Sequence, residues 1–362
     1  MTEIDDISNK LKKIELGQFF TTYYEYILKD LNIPNNIKDI VEPFAGNKDL
    51  LKKFDLTSLN VEYYDIDPKH NDIIKQDTLL NKLNFDNKFI ITNPPYLARN
   101  KSKSKIIFDK YNTNDLYKCF ICQIIDSECL GGILVIPLNF WCSIRLSDIT
   151  LRKTFIEKYN IIQLNIFEEK VFDDTTYTVC SFQFEKKTEE KPISITVYPI
   201  NKNISISLNE KCSYSIGGYI YNLKLLNKYK ITRATTKNKD KLNTHINVKC
   251  IDDNDNNRIS LSFIEDIKNL YIDTTPKLSS RTYASLIIEP SIDIETQQKL
   301  IKYFNELLNN YREKYHSLFL TNYRESKDIA RKRISFDLIY SLCAFILEKF
   351  LENNYEIDTY LQ

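Results

Sequence analysis

The first half of this 362-residue chain reads as an alternating α/β fold around a mainly parallel, doubly wound sheet. Two observations carry that reading. Short apolar runs rich in Ile, Val, Tyr and Phe recur between stretches of helical pattern, the signature of strands joined by crossovers. The first three runs also end in an acid or amide close to proline: Glu42-Pro43, Asp65-Ile66-Asp67-Pro68 and Asn93-Pro94-Pro95. Such residues suit the carboxyl edge of a parallel sheet, where ligands of this architecture bind.

In order, the expected strands are 37–42, 61–65, 88–92, 132–137, 161–167 and 177–184. Helical pattern covers 22–31, 47–51 and 114–129. The 23 residues from Glu42 to Asp65 fit one strand–helix–strand crossover. A charged run, Lys186 to Lys191 (KKTEEK), marks the expected boundary between a domain at 1–188 and a second at 189–362. The second has short β-like pieces at 193–197 and 219–223, polar loops such as 235–241, and helices at 295–310 and 328–353. That mixture predicts an α+β domain.

Composition narrows the function classes. With 43% hydrophobic and 27% charged residues, the chain is globular rather than disordered. The most apolar stretch, 336–351, carries Asp337, Glu348 and Lys349, so no membrane span is expected. The acidic start, without an apolar signal segment, points to a cytoplasmic protein. Fifty basic against forty-nine acidic side chains give no global basic field, which leaves room only for local basic patches. Eight cysteines in so long a chain are no disulfide scaffold. Cys119, Cys122 and Cys129 fall in a helical pattern with no second ligand pair, and the three histidines are scattered, so core thiols are expected and no metal.

Asn93-Pro94-Pro95-Tyr96, directly after the strand at 88–92, is the sharpest local signal. Two prolines can neither extend a ladder nor enter a helix interior, so they form a stiff turn that fixes the directions of Asn93 and Tyr96. Upstream, Glu42-Pro43-Phe44-Ala45-Gly46 places an acid and a glycine at a strand-to-helix turn, as a nucleoside-type cofactor requires. Asp65 at the end of the second strand suits ribose hydroxyls, with Asp67 as its rival. Asp77 follows at the next connection. Gly17-Gln18-Phe19-Phe20-Thr21-Thr22 precedes a helix whose exposed N–H groups could face an anion.

With these motifs in this order, residues 15–187 resemble the S-adenosylmethionine-dependent DNA amino-methyltransferases, above all the adenine-N6 enzymes of restriction–modification systems in their gamma motif order. The segment 131–137 is similar to that family's later strand, and Val171-Phe172 with 177–184 to the segment whose aromatic helps hold a flipped base. The resemblance implies a Rossmann-like class I methyltransferase sheet followed by a target-recognition domain. It implies S-adenosylmethionine as cofactor, held by Phe20, Thr21, Glu42, Pro43, Gly46, Asp65, Ile66 and Asp77. Thr21 would take the methionine end, Asp65 the ribose and Asp77 the adenine amine. Catalysis would fall to Asn93, Pro94, Pro95, Tyr96 and Phe172, with Tyr96 and Phe172 stacking on the two faces of an extruded adenine. Two positions depart from the family: Asn47 and Lys48 stand where a second glycine is usual, and Thr22 where a proline is usual.

The implied partner is double-stranded DNA, with a cognate endonuclease acting separately. Arg99, Lys101, Lys103 and Lys105, interleaved with Ser and Asn, suit a loop over phosphates. Arg324 and 331–333 are further basic positions expected on a helical face, and Arg281 is a candidate base reader. Other planar nitrogens stay open as substrates: cytosine N4, an RNA base or a protein glutamine. So does a non-catalytic DNA-binding subunit of the same fold. Oligomeric state and target sequence are not legible.

Overall fold

The structure is a computed structural model that describes residues 17–19, 21–172, 177–252, 258–276, 278–320, 322–326 and 329–351. The chain divides into two units, one of Met1–Asn209 with Glu325–Ile329 and one of Glu210–Arg324 with Ala330–Gln362.

The first unit is built on a nine-stranded sheet. Its strands are β1 (Asp39–Glu42), β2 (Asn60–Asp65), β3 (Ile74–Lys75), β4 (Phe89–Thr92), β5 (Gly131–Pro137), β6 (Tyr159–Phe167), β7 (Val179–Lys186), β8 (Ile193–Tyr198) and β9 (Lys202–Ile206). They lie in the order β3-β2-β1-β4-β5-β7-β6-β8-β9. β1 runs parallel to β2 and β4, and β4 parallel to β5. β7 inserts antiparallel between β5 and β6. Every residue of β4 and β5 is buried, as central strands covered on both faces must be.

Helices α1 (Tyr24–Ile27), α2 (Ile106–Tyr111), α3 (Leu116–Ile125), α4 (Asn139–Cys142) and α5 (Leu146–Lys158) pack around the sheet. α3 buries eight of its ten residues, apolar nearly all round, which is what a helix sandwiched inside a unit requires. A buried ion pair, Lys118 Nζ to Asp148 Oδ1 at 2.5 Å, ties α3 to α5.

Six expected strands are present to within two residues at most ends. The differences are instructive. The expected helix at 47–51 is a single 3-10 turn, Leu50–Lys53. Gly46 and Lys48 both take left-handed backbone there, which leaves no regular helical start. The expected boundary at 188/189 is corrected to 209/210. β8 pairs parallel to β6 and β9 antiparallel to β8, so the charged run 186–191 only links two strands of one sheet.

The second unit is α+β. A four-stranded sheet orders β10 (Lys230–Arg233), β14 (Tyr283–Glu289), β11 (Ile246–Lys249) and β13 (Ser260–Phe263) as β10-β14-β11-β13, all antiparallel. A smaller sheet joins β12 (Ile251–Asp252), β16 (Ile329–Arg333) and β15 (Asn322–Ser326). α6 (Ile294–Tyr315) and α7 (Phe336–Ile346) complete it, with N-caps Asp293 and Ser335. Residues 219–223, expected as strand, fall on a 3-10 turn at Gly218–Tyr221. Residues 329–333, expected as helix, are strand. In its core Arg312 bonds Asp252 through Nη2 (2.9 Å) and Nε (3.3 Å), and the Ile259 amide and Ser317 hydroxyl also donate to that carboxylate. A buried charge pair with this many partners is satisfied rather than stranded.

Gly132 shows how tightly β5 is fitted. A Cβ there would meet the Ile90 carbonyl oxygen at 2.3 Å and the Phe184 ring at 2.8 Å. Gly132→Ala therefore forces β4 and β7 apart, and is expected to cost about 1–3 kcal/mol by overpacking, read from the shift in a urea unfolding midpoint.

Candidate active site

The parallel register brings the site together. Glu42 sits opposite Tyr63 and Val41 opposite Ile90. Extending those pairings by two and three residues puts Phe44 level with both Asp65 and Asn93. The Ala45 N–H to Tyr64 carbonyl bond, 2.9 Å, continues the ladder past the strand end. A cleft opens at this edge, lined by Gln18, Phe44, Gly46, Asp65, Ile66 and Asp77. Asn93, Pro95, Leu97, Phe108 and Leu116 line it too, and the empty space amounts to about 930 Å³, open mouth included.

Asp65 is 2% exposed and fastens the turn that follows β1. Its Oδ2 accepts the Gly46 N–H (2.8 Å), and its Oδ1 accepts the Asp67 N–H (2.8 Å) and the Gln18 side-chain amide (3.3 Å). A carboxylate has about four acceptor sites, so among the described residues one on Oδ2 is unmet. Its rival Asp67 pairs with Lys69 instead. Asp77 turns Oδ1 back to the Leu79 and Leu80 N–H groups, and the adjacent Thr78 hydroxyl holds the Pro43 carbonyl at 3.1 Å. Gln123 of α3, fully buried, donates to the Thr78 and Leu79 carbonyls and so fixes this connection from behind.

Three expected cofactor residues are not on the cleft wall: Thr21, Glu42 and Pro43 are buried behind it. Burial, reinforced by Asp49, pushes the Glu42 carboxyl well above its usual range, and its Oε2 has no hydrogen-bond partner among the described residues. Phe20 lies outside the described residues. A carboxylate lone pair on Asp65, the left-handed Gly46 turn and apolar walls from Leu97, Phe108 and Leu116 together fit a nucleoside-type cofactor.

Asn93 follows β4 directly and lines the cleft. Its Nδ2 donates to the Phe19 carbonyl (2.9 Å) and to Thr21 Oγ1 (3.1 Å). The Tyr96 hydroxyl reaches Asn93 Oδ1 at 2.5 Å and the Val135 carbonyl at 2.7 Å, sharing one hydrogen between two acceptors. Burial pushes the Tyr96 phenol well up, so it stays protonated. Gly17 closes this side: its carbonyl accepts the Tyr96 N–H at 2.9 Å, and a Cβ on it would meet the Tyr96 carbonyl oxygen at 2.7 Å.

Tyr96 and Phe172, expected to stack on the two faces of an extruded adenine, are buried in this conformation, at 2% and 3% exposed. Phe19 has its ring centroid 5.3 Å from Tyr96 and 6.4 Å from Phe172. Tyr117 and Tyr177 meet Tyr96 edge-on at 6.0 and 6.2 Å. Apolar aromatic contact is strongest when water is excluded, and the motif's own rings satisfy that demand.

The basic loop is also more engaged than its composition suggests. Arg99 pairs with Asp109, and Lys105 Nζ donates to the Arg99 and Ser102 carbonyls. Lys101 and Lys103 are exposed, while Ser102 and Ser104 form a rim of the cleft. Arg281, in the second unit, is exposed and its carbonyl accepts from Arg333. Lys332 is 8% exposed on a strand, so the basic triplet is not a solvated helix face; the side chains of Arg324 and Arg331 lie outside the described residues. Seven cysteines are buried and Cys122 partly so; burial raises the Cys119 and Cys122 thiols to about 11 and about 12, as core thiols. Among the described residues no helix is long and apolar enough to cross a membrane.

The sheet order β3-β2-β1-β4-β5-β7-β6, with β7 reversed and a cleft at the carboxyl edge, is the Rossmann-like fold that the sequence leads one to expect. Residues 2–172 match the family described as Eco57I restriction-modification methylase. Among solved structures, the chain is similar to the type I restriction-modification methyltransferase subunit of Streptococcus thermophilus, with 14% identity, 52% of this chain and 48% of that one covered, and a TM-score of 0.37. It is also similar to the type IIG restriction endonuclease BpuSI, with 13% identity, 63% and 37% covered, and a TM-score of 0.39. The DrdV–DNA complex matches with 12% identity, 68% and 36% covered, and a TM-score of 0.43. The chain thus spans about half or less of the length of these proteins. No curated protein matches it.

Asp115 joins the motif to α3. It accepts the Leu97 N–H at 3.1 Å, while Leu116 N–H returns to the Leu97 carbonyl at 3.3 Å. Burial raises its carboxyl to about 7, opposed by Lys118 and by the N–H groups of Leu97, Leu116 and Tyr117. An acid with a raised folded pKa binds its proton more tightly folded than unfolded. Its stabilising share is therefore present below about pH 4 and lost as pH rises to about 7. Asp115→Asn keeps an acceptor oxygen and abolishes the titration. Its thermal midpoint is expected to gain on wild type between pH 5 and pH 8 and to hold level above; a pH-independent difference would refute this assignment.

Proposed function

We propose that this protein transfers a methyl group from S-adenosylmethionine to the exocyclic N6 amine of an adenine in double-stranded DNA, within a restriction–modification system. The observation that carries the reading is Asn93 at the end of β4, lining one cleft with Asp65 and keeping one lone pair on Oδ1 unused among the described residues. When bound, the cofactor supplies an electrophilic sulfonium methyl. The chain's own part is geometry. Asp65 would hold a ribose hydroxyl through its unmet lone pair. Asp77 would face the cofactor's adenine amine, and Leu97, Phe108 and Leu116 would cover that ring.

The amine of adenine is a poor nucleophile because its lone pair is delocalised. Asn93 Oδ1 and the Pro94 carbonyl would accept its two N–H bonds and draw the nitrogen toward a tetrahedral shape, with no titrating base required. That is preorganised electrostatic help combined with orientation. A base within a duplex cannot reach this depth, so it must be extruded. It would stack where Phe19 bridges Tyr96 and Phe172, with Phe19 turning aside. Lys101 and Lys103 would meet phosphates, and the second unit, Arg281 included, would supply target recognition. A cognate endonuclease would act separately.

Purified protein, unmodified DNA and S-adenosylmethionine, followed by digestion to nucleosides and mass spectrometry, test this. N6-methyladenine is expected, reduced at least about a hundredfold in Asn93→Ala. N4-methylcytosine would change the base and keep the mechanism. No methylated base would refute the DNA reading.

A further inference from the structure

The orientation of an asparagine amide is set by its partners, and here one partner leaves no choice. The Phe19 carbonyl can only accept, so the atom 2.9 Å from it is the Asn93 nitrogen. The second amide hydrogen is taken by Thr21 Oγ1 at 3.1 Å. Both hydrogens of the side chain are thereby used inside the protein. The oxygen accepts from Tyr96, which occupies one of its two lone pairs. Among the described residues, the polar capacity left to Asn93 is a single lone pair on Oδ1. Thr21 is 4% exposed and off the cleft wall, so in this conformation its hydroxyl serves Asn93 rather than the cleft.

We propose that Thr21 is a positioning residue: with the Phe19 carbonyl it turns Asn93 into an acceptor-only group, selecting a substrate atom that carries N–H and rejecting a carbonyl at the same place. This rests on the methyl-transfer reading above. Losing the Thr21 acceptor frees one amide hydrogen. The Phe19 carbonyl and the Tyr96 hydroxyl still set which end of the amide is which, but the side chain has lost its third tether and can rock about the other two, so the oxygen no longer waits in one direction. Sites built to pair a substrate N–H discriminate strongly against groups that leave them unpaired.

Wild type, Thr21→Val and Thr21→Ser test the proposal; Val keeps the shape of Thr, and thermal midpoints check folding. At saturating cofactor, Thr21→Val is expected to lower kcat on DNA about tenfold or more, with the KM for DNA changed less than about threefold. Thr21→Ser restores kcat to within about threefold of wild type. A second readout does not depend on activity: the side-chain amide resonances of Asn93 in a nitrogen–proton NMR spectrum, identified by their loss in Asn93→Ala. Thr21→Val shifts them and Thr21→Ser leaves them in place. A Thr21→Val protein that alters only the KM for cofactor, with the resonances unmoved, overturns the proposal. Shifted resonances in a protein that never methylates DNA would uphold the positioning role and fault the DNA reading instead.

Discussion

The parallel pairing of β1 with β2 and β4 is the constraint on which the site depends. It levels three strand ends, so that Asp65, Phe44 and Asn93 arrive at one edge from positions up to 49 residues apart. Side chains alternate along a strand, so a slip of one residue would turn the buried faces of β1 outward. Burial of β4 on both faces and the tight seat of Gly132 against the Ile90 carbonyl hold that register. Beyond β4 the two prolines stop the ladder, and the motif depends for its shape on what packs around it. Gly17 and the Tyr96 N–H close one side, and Asp115 holds the Leu97 N–H on the other.

Much of this was legible. The runs at β1, β2, β4, β5, β6 and β7 are apolar enough to stand out, and Asn93-Pro94-Pro95-Tyr96 is too stiff to be anything but a fixed turn. β3 was not legible, since Ile74 and Lys75 are both exposed and show no alternation. The boundary was misplaced because the charged run 186–191 resembles a linker, although β8 and β9 still have a sheet edge to join. Residues 329–333 have helix-compatible composition, and only pairing across to β12 makes them strand.

At the site, sequence could give residue types but not their partners. Asp65 was identifiable from its place at a strand end. That its carboxylate also fastens Gly46 and Gln18 depends on a turn formed by left-handed residues. Tyr96 and Phe172 read as rings for stacking on a base, but their burial and the ring of Phe19 beside both are not visible in the sequence. Gln18 and Phe19 lie in the segment 17–22 that stands out, but nothing there gives their partners; Phe108 and Gln123 carried no local signal. Phe108 and Gln123 matter through helices that pack only once the sheet exists. The same holds for Thr21, whose hydroxyl meets Asn93 across 72 residues of chain.

The central claim is that Asp65 anchors a nucleoside-type cofactor at the edge where Asn93 waits. Calorimetric titration of S-adenosylhomocysteine into wild type and Asp65→Asn addresses it most directly. The account predicts binding to wild type at one site per chain and at least about tenfold weaker binding to the variant, the effect of losing a charge-assisted hydrogen bond. Equal affinity in the two proteins, or no binding to wild type, would contradict it.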